Sequence, residues 1–227
     1  MKTKSIFLLA LVLILCSCSS SKTTQRDRIT VESFNKIIVS SGIDVYFTQS
    51  GSNYVEIEAN SNVAVEVKNG TLIFNRRSRK NNNYKSRVYI YGNKLEYLVM
   101  SGGAGFSADE VKNKQLSITA SGGSRIDIKK LNSDDCNLAF SGGSNCIIRE
   151  AKAKRLNLAT SGGSDSNINI TKADNANIAS SGGSRVIASG KAGYLSVSTS
   201  GSANIDISNL KYNNISTNQS GRGNIRK

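Results

Sequence analysis

Neutral-pH catalysis draws most often on histidine as its general base, and this chain of 227 residues has none. Serine is abundant, but without an imidazole partner no serine has the base that would make it a nucleophile. The four cysteines, Cys16, Cys18, Cys136 and Cys146, fall in no zinc-ligand spacing. The closest carboxylate pairs, Asp109-Glu110 and Asp134-Asp135, stand isolated between apolar segments and read as solvated turn residues. Gly162-Gly163-Ser164-Asp165 shares residue types with calcium-binding nonapeptide repeats, yet the period here is twenty and Asp occurs once in that column. The expectation is a non-enzyme with no catalytic residue, no metal and no cofactor.

Charge is the chemistry that remains. Thirty Lys and Arg face sixteen Asp and Glu, a formal charge of +14. A surface of this sign favours encounter with anionic partners. Its densest part lies between residues 76 and 87, where Arg76, Arg77, Arg79, Lys80, Lys85 and Arg87 supply six positive charges and no negative one. The segment reads as a protruding loop. Either it is a solvated hairpin tip, or its guanidinium forks grip lipid headgroups, lipopolysaccharide phosphates or acidic glycans. The second reading makes those six residues the candidate ligand site.

The N-terminus bears on which anions the chain meets. Lys2 and Lys4 precede an unbroken apolar run of ten residues, Ile6 to Leu15, which is the pattern of a cleaved secretory signal. A membrane-spanning helix needs about 20 residues. The residues that follow resemble a bacterial lipobox, with Leu15 at −3 and Ser17 at −1 relative to Cys18, so Cys18 is the expected site of lipidation. Ser19 to Arg28 is polar and without hydrophobic period, as a tether would be. An exported, lipid-anchored protein is expected, at the outer membrane on its periplasmic face or at the cell surface. Loss of the leader with Lys2 and Lys4 leaves +12. Export sets nucleic acid aside and leaves the membrane, glycan, lipopolysaccharide or an envelope protein as partners.

The elements that would carry such a surface are written in a repeat. Ser-Gly recurs at Ser101, Ser121, Ser141, Ser161, Ser181, Ser200 and Ser220, at intervals of 20, 20, 20, 20, 19 and 20 residues. Five residues after each Ser stand Phe106, Ile126, Cys146, Ser166, Val186, Ile205 and Ile225, and two further on a second mostly apolar column begins with Ala108 and Ile128. Another alternating pair precedes the next Ser, as in Leu116 and Ile118, or Cys136 and Leu138. Alternation at period two is strand spacing, so each copy is expected to hold two short strands. No such unit buries its own apolar side. Stacked coils do, because like residues superpose into a continuous core. The fold expected is all-β: a β-helix (β-solenoid) of ~20-residue coils with a less regular N-terminal cap. Seven copies at about 4.8 Å each would make a rod segment of roughly 34 Å. Gly at the second and third motif positions fits a corner needing positive φ or close backbone approach. The motif serine is read as satisfying backbone groups at that corner.

Residues 29 to 98 lack the motif but keep the strand signal, for example in Phe34 to Val39, Ile43 to Phe47, Tyr54 to Glu58 and Arg87 to Tyr91. Asn69-Gly70 between apolar strands is a hairpin signal. Three features together resemble the family called putative auto-transporter adhesin, head GIN domain. These are Phe34 to Val39 running into Ser41-Gly42-Ile43-Asp44-Val45, the Val55 to Glu58 and Asn69 to Leu72 segments, and the Ser-Gly series after Leu95 to Leu98. The likeness covers roughly residues 33 to 225, with Asp44 in place of the family's Asn and Gly92-Asn93 where a proline often stands. It implies a β-helical fold in an exported Gram-negative protein and a role in adhesion without a named ligand.

The resulting division is a signal peptide over residues 1–17, a tether over 18–30, and one β-solenoid domain over 31–227. Within that domain, irregular coils over 31–100 precede the repeats over 101–227. Two surfaces follow: the basic loop, and a polar column of Ser117, Asn137, Asn157, Asn177, Ser196 and Ser216, which would form a ladder of amides and hydroxyls if it faces outward. Cys136 and Cys146, in apolar columns of successive coils, are either buried small hydrophobes or, if geometry allows, a disulfide. Two roles remain: a binding or adhesion module on a lipid anchor, and a structural or protein-docking solenoid of the envelope.

Overall fold

The computed structural model of the protein describes residues 25–40, 42–58, 63–76 and 86–227, with Arg76 described by its backbone alone. Among them there are strands and no helix. Six long strands form the repeat region: β9 (Gly105–Ala120), β10 (Arg125–Phe140), β11 (Asn145–Thr160), β12 (Asp165–Ser180), β13 (Arg185–Thr199) and β14 (Asn204–Gln219), with β15 (Asn224–Arg226) below. Each pairs in parallel with its successor in the next coil, so that Ile126 registers with Phe106 above and Cys146 below. The chain is a β-solenoid, as its period required.

One expectation changes. A coil does not hold two short strands; it holds one unbroken strand of sixteen residues, fifteen in β13, that bends twice. The bends show as paired outward residues in otherwise alternating burial: in β11, Arg149-Glu150 and Lys154-Arg155. Pairing survives them because neighbouring coils bend at the same register. Each coil therefore has three sides. The first carries the column from Phe106 to Ile225, and the third the column that includes Leu116, Cys136 and Leu156. The middle side points inward through Val111, Leu131 and Ala151 and through Ser133, Ala153 and Ala173. Its few, small and mixed inward residues leave no period-two signature to read.

The Ser-Gly-Gly corner joins the third side to the next coil's first. The second motif residue, always Gly, has φ between +61° and +72° in all seven copies. A Cβ there would also meet the coil above, at 3.1 Å from both the nitrogen and the oxygen of Gly142 for Gly162. The third position is different. A Cβ at Gly163 would find nothing nearer than 3.6 Å, and Ser202 and Arg222 fill this position in the last copies. Its N–H donates to the carbonyl of the second-position glycine one coil earlier, at 2.7 Å from Gly163 to Gly142. The motif serine donates its own N–H to the preceding coil, at 2.9 Å from Ser141 to the Ala120 carbonyl. The buried serine at the fourth position closes the corner: its hydroxyl donates to the motif serine's carbonyl, at 2.7 Å in Ser124 and 2.6 Å in Ser144.

The interval of 19 residues is absorbed on the middle side of β13. Gly190 has φ +104°, and a Cβ there would lie 2.0 Å from the Ile170 carbonyl oxygen, while one at Gly193 would lie 2.7 Å from that of Asp174. Shortening the side draws its backbone against the coil above, which only glycine allows.

Above β9 the sides separate. The first continues through β3 (Ile43–Gln49), β7 (Ser86–Gly92), β4 (Tyr54–Glu58) and β1 (Arg26–Thr30), turning antiparallel after β7. Arg26 to Thr30, read from the sequence as the end of the tether, thus form an edge strand paired with β4. The third side continues through β8 (Tyr97–Met100), β2 (Lys36–Val39), β6 (Thr71–Arg76) and β5 (Val63–Lys68). Asn69 and Gly70, at φ +50° and +69°, make the expected hairpin between β5 and β6. The middle side stops at β9, where the Gln49 amide replaces a strand, accepting from Lys112 N–H and donating to Lys112 C=O, both at 2.8 Å.

Cys136 and Cys146 are free, buried thiols in the core. They stand in different inward columns, Cys136 on the third side and Cys146 on the first, and the alternative of buried small hydrophobes describes them.

Two outcomes follow. Gly162→Ala should cost at least about 1–2 kcal/mol from the left-handed backbone alone, and more from the contact with Gly142, whereas Gly163→Ala should be nearly neutral; urea unfolding of the two variants tests the contrast. Burial pushes the Cys136 thiol up to about 12 and the Cys146 thiol in the same direction. The unfolded chain therefore loses these protons first, so stability should be full below the ordinary thiol range and fall as pH rises through about 8.5 and beyond. Iodoacetamide should leave both thiols unmodified in the native protein and modify them in denaturant, as mass spectrometry of the tryptic peptides would show.

Candidate functional surface

Of the candidate ligand residues, Arg77, Arg79, Lys80 and Lys85 lie outside the described residues, as does Cys18. Arg76 ends β6, on the third side's extension, and Arg87 stands in β7, on the first side's, so residues 77–85 connect the two. The Arg87 guanidinium lies 3.6 Å from the Glu58 carboxylate, whose charge raises its already high pKa.

Beside Arg87 the outer face of this sheet is aromatic. Tyr89 stacks on Tyr46 with ring centroids 5.0 Å apart, and Tyr54 on Tyr91 at 4.2 Å. From the edge strand β1, Arg26 lies 3.6 Å over Tyr89 and Arg28 3.6 Å over Tyr54. Such contacts contribute about 0.5–1 kcal/mol at exposed sites, and they explain why a charged segment holds to the sheet. Partial burial raises the pKa of Tyr89 and Tyr91, which remain neutral phenols with a hydrogen-bonding edge. Four rings and three guanidinium groups therefore line the outer face of β7 and its neighbours, from the point where the basic segment rejoins the sheet to the strand's far end.

The polar column from Ser117 to Ser216 does face outward, on the third side, and is in register from coil to coil. Its amides interact along the ladder, with Asn157 Nδ2 donating to Asn137 Oδ1 at 2.9 Å. Beside it Ala139, Ala159 and Ala179 floor a shallow groove of about 440 Å³, bounded by the motif serines. The floor is flat because these outward residues are small.

The carboxylates singled out in the sequence lie at the bends of the long strands, not in turns between strands. Three of the four meet a cation one coil on: Asp109 with Lys129 at 2.7 Å, Asp134 with Lys154 at 3.2 Å, and Asp135 with Arg155. Asp127 binds Arg149 through both oxygens, which holds its carboxyl below the usual range. Exposed pairs of this kind contribute little to stability, but they neutralise the bends of the upper coils. Among the described residues no group of three or more His, Cys, Asp or Glu side chains is arranged to hold a metal.

What the sequence reading missed is the outward lane of the middle side. It carries Lys112, Asn132, Lys152, Lys172, Lys191 and Lys211, all exposed except the half-buried Asn132. A lysine one residue before the middle side's second inward column, as in Lys152-Ala153 and Lys172-Ala173, was the available signal, and it went unread because that column itself was not recognised.

Comparison with known proteins agrees with this architecture. The family model described as putative auto-transporter adhesin, head GIN domain matches residues 33–183 and 139–226. A crystal structure of a putative adhesin from Bacteroides fragilis superposes with a TM-score of 0.75 at 21% identity, covering 91% of this chain and 97% of that one. One from Parabacteroides merdae, also a putative adhesin, gives 0.64 at 19%, covering 89% and 95%. A putative lipid binding protein from Parabacteroides distasonis gives 0.66 at 20%, covering 89% and 96%. No protein of curated function matches the chain. The family match spans nearly all the described domain, and these solved structures share its overall fold. The chain belongs to the putative auto-transporter adhesin, head GIN domain family.

Proposed function

We propose that the protein is a cell-envelope lipoprotein, anchored through Cys18 to the outer membrane, whose solenoid presents a non-catalytic binding surface for an anionic or glycan ligand. The apolar run before Cys18 supports the anchor: a diacyl thioether and an N-acyl chain supply the two or more hydrophobic attachments that stable anchoring needs. Membership of an adhesin-like family supports a binding role.

The observation that carries the reading is the imbalance of charge. Among the described residues eight carboxylates are engaged in ion pairs, out of sixteen in a chain with thirty basic residues. The basic groups of residues 76–87 stand in a segment with no acidic residue of its own. An arginine cluster of this kind suits phosphate and carboxylate oxygens, which accept its paired N–H donors.

Two experiments test the proposal. Growth with a labelled fatty acid should label the wild-type protein and not Cys18→Ala; label in the variant would refute the anchor. Replacing Arg76, Arg77, Arg79 and Lys80 with Gln should abolish salt-sensitive binding to vesicles containing phosphatidylglycerol, measured by flotation, and unchanged binding would refute the basic segment as the ligand site.

A further inference from the structure

We propose that the middle side of the lower coils is a second binding lane, built for an extended acidic polysaccharide lying along the solenoid axis. The proposal rests on the reading of the protein as a binder of anionic or glycan ligands, and it names the ligand class and a surface distinct from residues 76–87.

Lys152 registers with Lys172, and Lys191 with Lys211. Lys172 and Lys191 precede Ala173 and Ala192, which register with one another, so the four lysines occupy four successive coils in single file. All four are exposed. Stacked strands are about 4.8 Å apart, so like charges are held close by the backbone itself. Lys129, Lys154 and Arg155, at bends of the strands, have carboxylate partners, but no ion pair joins any of these four lysines to a carboxylate among the described residues. A row of like charges without counter-charges raises the free energy of the unliganded protein and lowers it again when an anion lies across the row.

The neighbouring lanes identify the anion. Around Lys152 they are still charged, with Glu150 on one side and Lys154 and Arg155 on the other. Below, on one side of the lysines, Asn169 registers with Ser189 and Ser189 with Asn209. On the other side Asn175 registers with Tyr194 and Tyr194 with Asn214. Tyr194 is 45% exposed, among the most exposed large side chains described. Asp174 is the one carboxylate beside this part of the lane.

Amides and hydroxyls on both sides of a cation row pair with sugar hydroxyls, and an exposed ring offers a face for a sugar to lie on. A lipid surface would favour a broad basic patch with inserted apolar residues over one lysine in width. A single nucleic-acid strand would call for aromatic rings under successive bases, where this lane has one. A linear acidic glycan matches the lane in width, direction and polarity.

Binding of the full chain to polygalacturonate, neutral dextran, oligo-dT and phosphatidylglycerol vesicles tests the proposal. Wild type should bind polygalacturonate, bind dextran far more weakly, and bind oligo-dT at least ten-fold more weakly. Replacing Lys172, Lys191 and Lys211 with Gln should weaken polygalacturonate binding at least ten-fold, leave vesicle binding intact, and leave the thermal midpoint unchanged or higher, because repulsion is relieved. Tyr194→Ala, which changes no charge, should weaken polygalacturonate binding at least three-fold. Equal binding by wild type and the triple variant overturns the lane and leaves the vesicle-binding segment standing. Equal affinity for oligo-dT, or no effect of Tyr194→Ala, overturns the glycan assignment. Wild type that binds neither polygalacturonate nor vesicles overturns both this proposal and the reading on which it rests.

Discussion

The structure depends on how closely one Ser-Gly-Gly corner can approach the next. At each corner the glycine at the second motif position takes a left-handed conformation, and from Gly122 onward its Cα faces the glycine above, where a Cβ would come within about 3 Å of backbone. This proximity lets the third residue's N–H reach the carbonyl above at 2.7–2.9 Å, so hydrogen bonding between coils continues around the corner. If the corner stood further out, the sides could not keep register. Every column, inward or outward, inherits its order from that approach. The second motif position is accordingly Gly in every copy, while the third becomes Ser202 and Arg222 where no such constraint acts.

Register then determines the interior and the surface alike. Inward, it stacks like on like: Ile126 under Phe106, Leu156 under Cys136, and buried Ser124, Ser144, Ser164 and Ser184 in one hydroxyl column that serves the corners. Two hydroxyls depart from this order, since Ser166 and Thr199 are buried with no hydrogen-bond partner among protein atoms. Outward, the same register turns single residues into lanes. One asparagine is an ordinary surface residue, but Asn137, Asn157 and Asn177 in successive coils make a continuous strip of amides. The solenoid thus presents linear surfaces, and a linear ligand can meet several equivalent groups at once.

The ends of the solenoid show how an open parallel sheet is closed. At the top, the outer sides become antiparallel strands and end at edges, with Arg26 and Arg28 lying across tyrosine rings on the first. The short middle side is closed by one amide, Gln49, whose two hydrogen bonds imitate a strand. Charged side chains across an edge and a side-chain surrogate for a ladder both limit further strand pairing.

Much of this was legible in the sequence, and for a physical reason. A period of twenty with glycine at fixed places leaves few backbones able to repeat it, and alternating apolar columns such as Phe106 with Ala108 and Leu116 with Ile118 locate the first and third sides. The family resemblance was legible from the cap strands and the repeat together. The middle side was not, because Val111, Leu131 and Ala151 show no alternation of their own and reach the core only once the chain has bent twice. The bends are tertiary: they follow from three sides closing around one core. For that reason the sequence alone determined the repeat, its corners, the excess of basic charge and the free thiols' apolar columns. Only the tertiary structure decided that lysines spaced about twenty residues apart stand in one file, because their neighbourhood exists only once the coils are stacked.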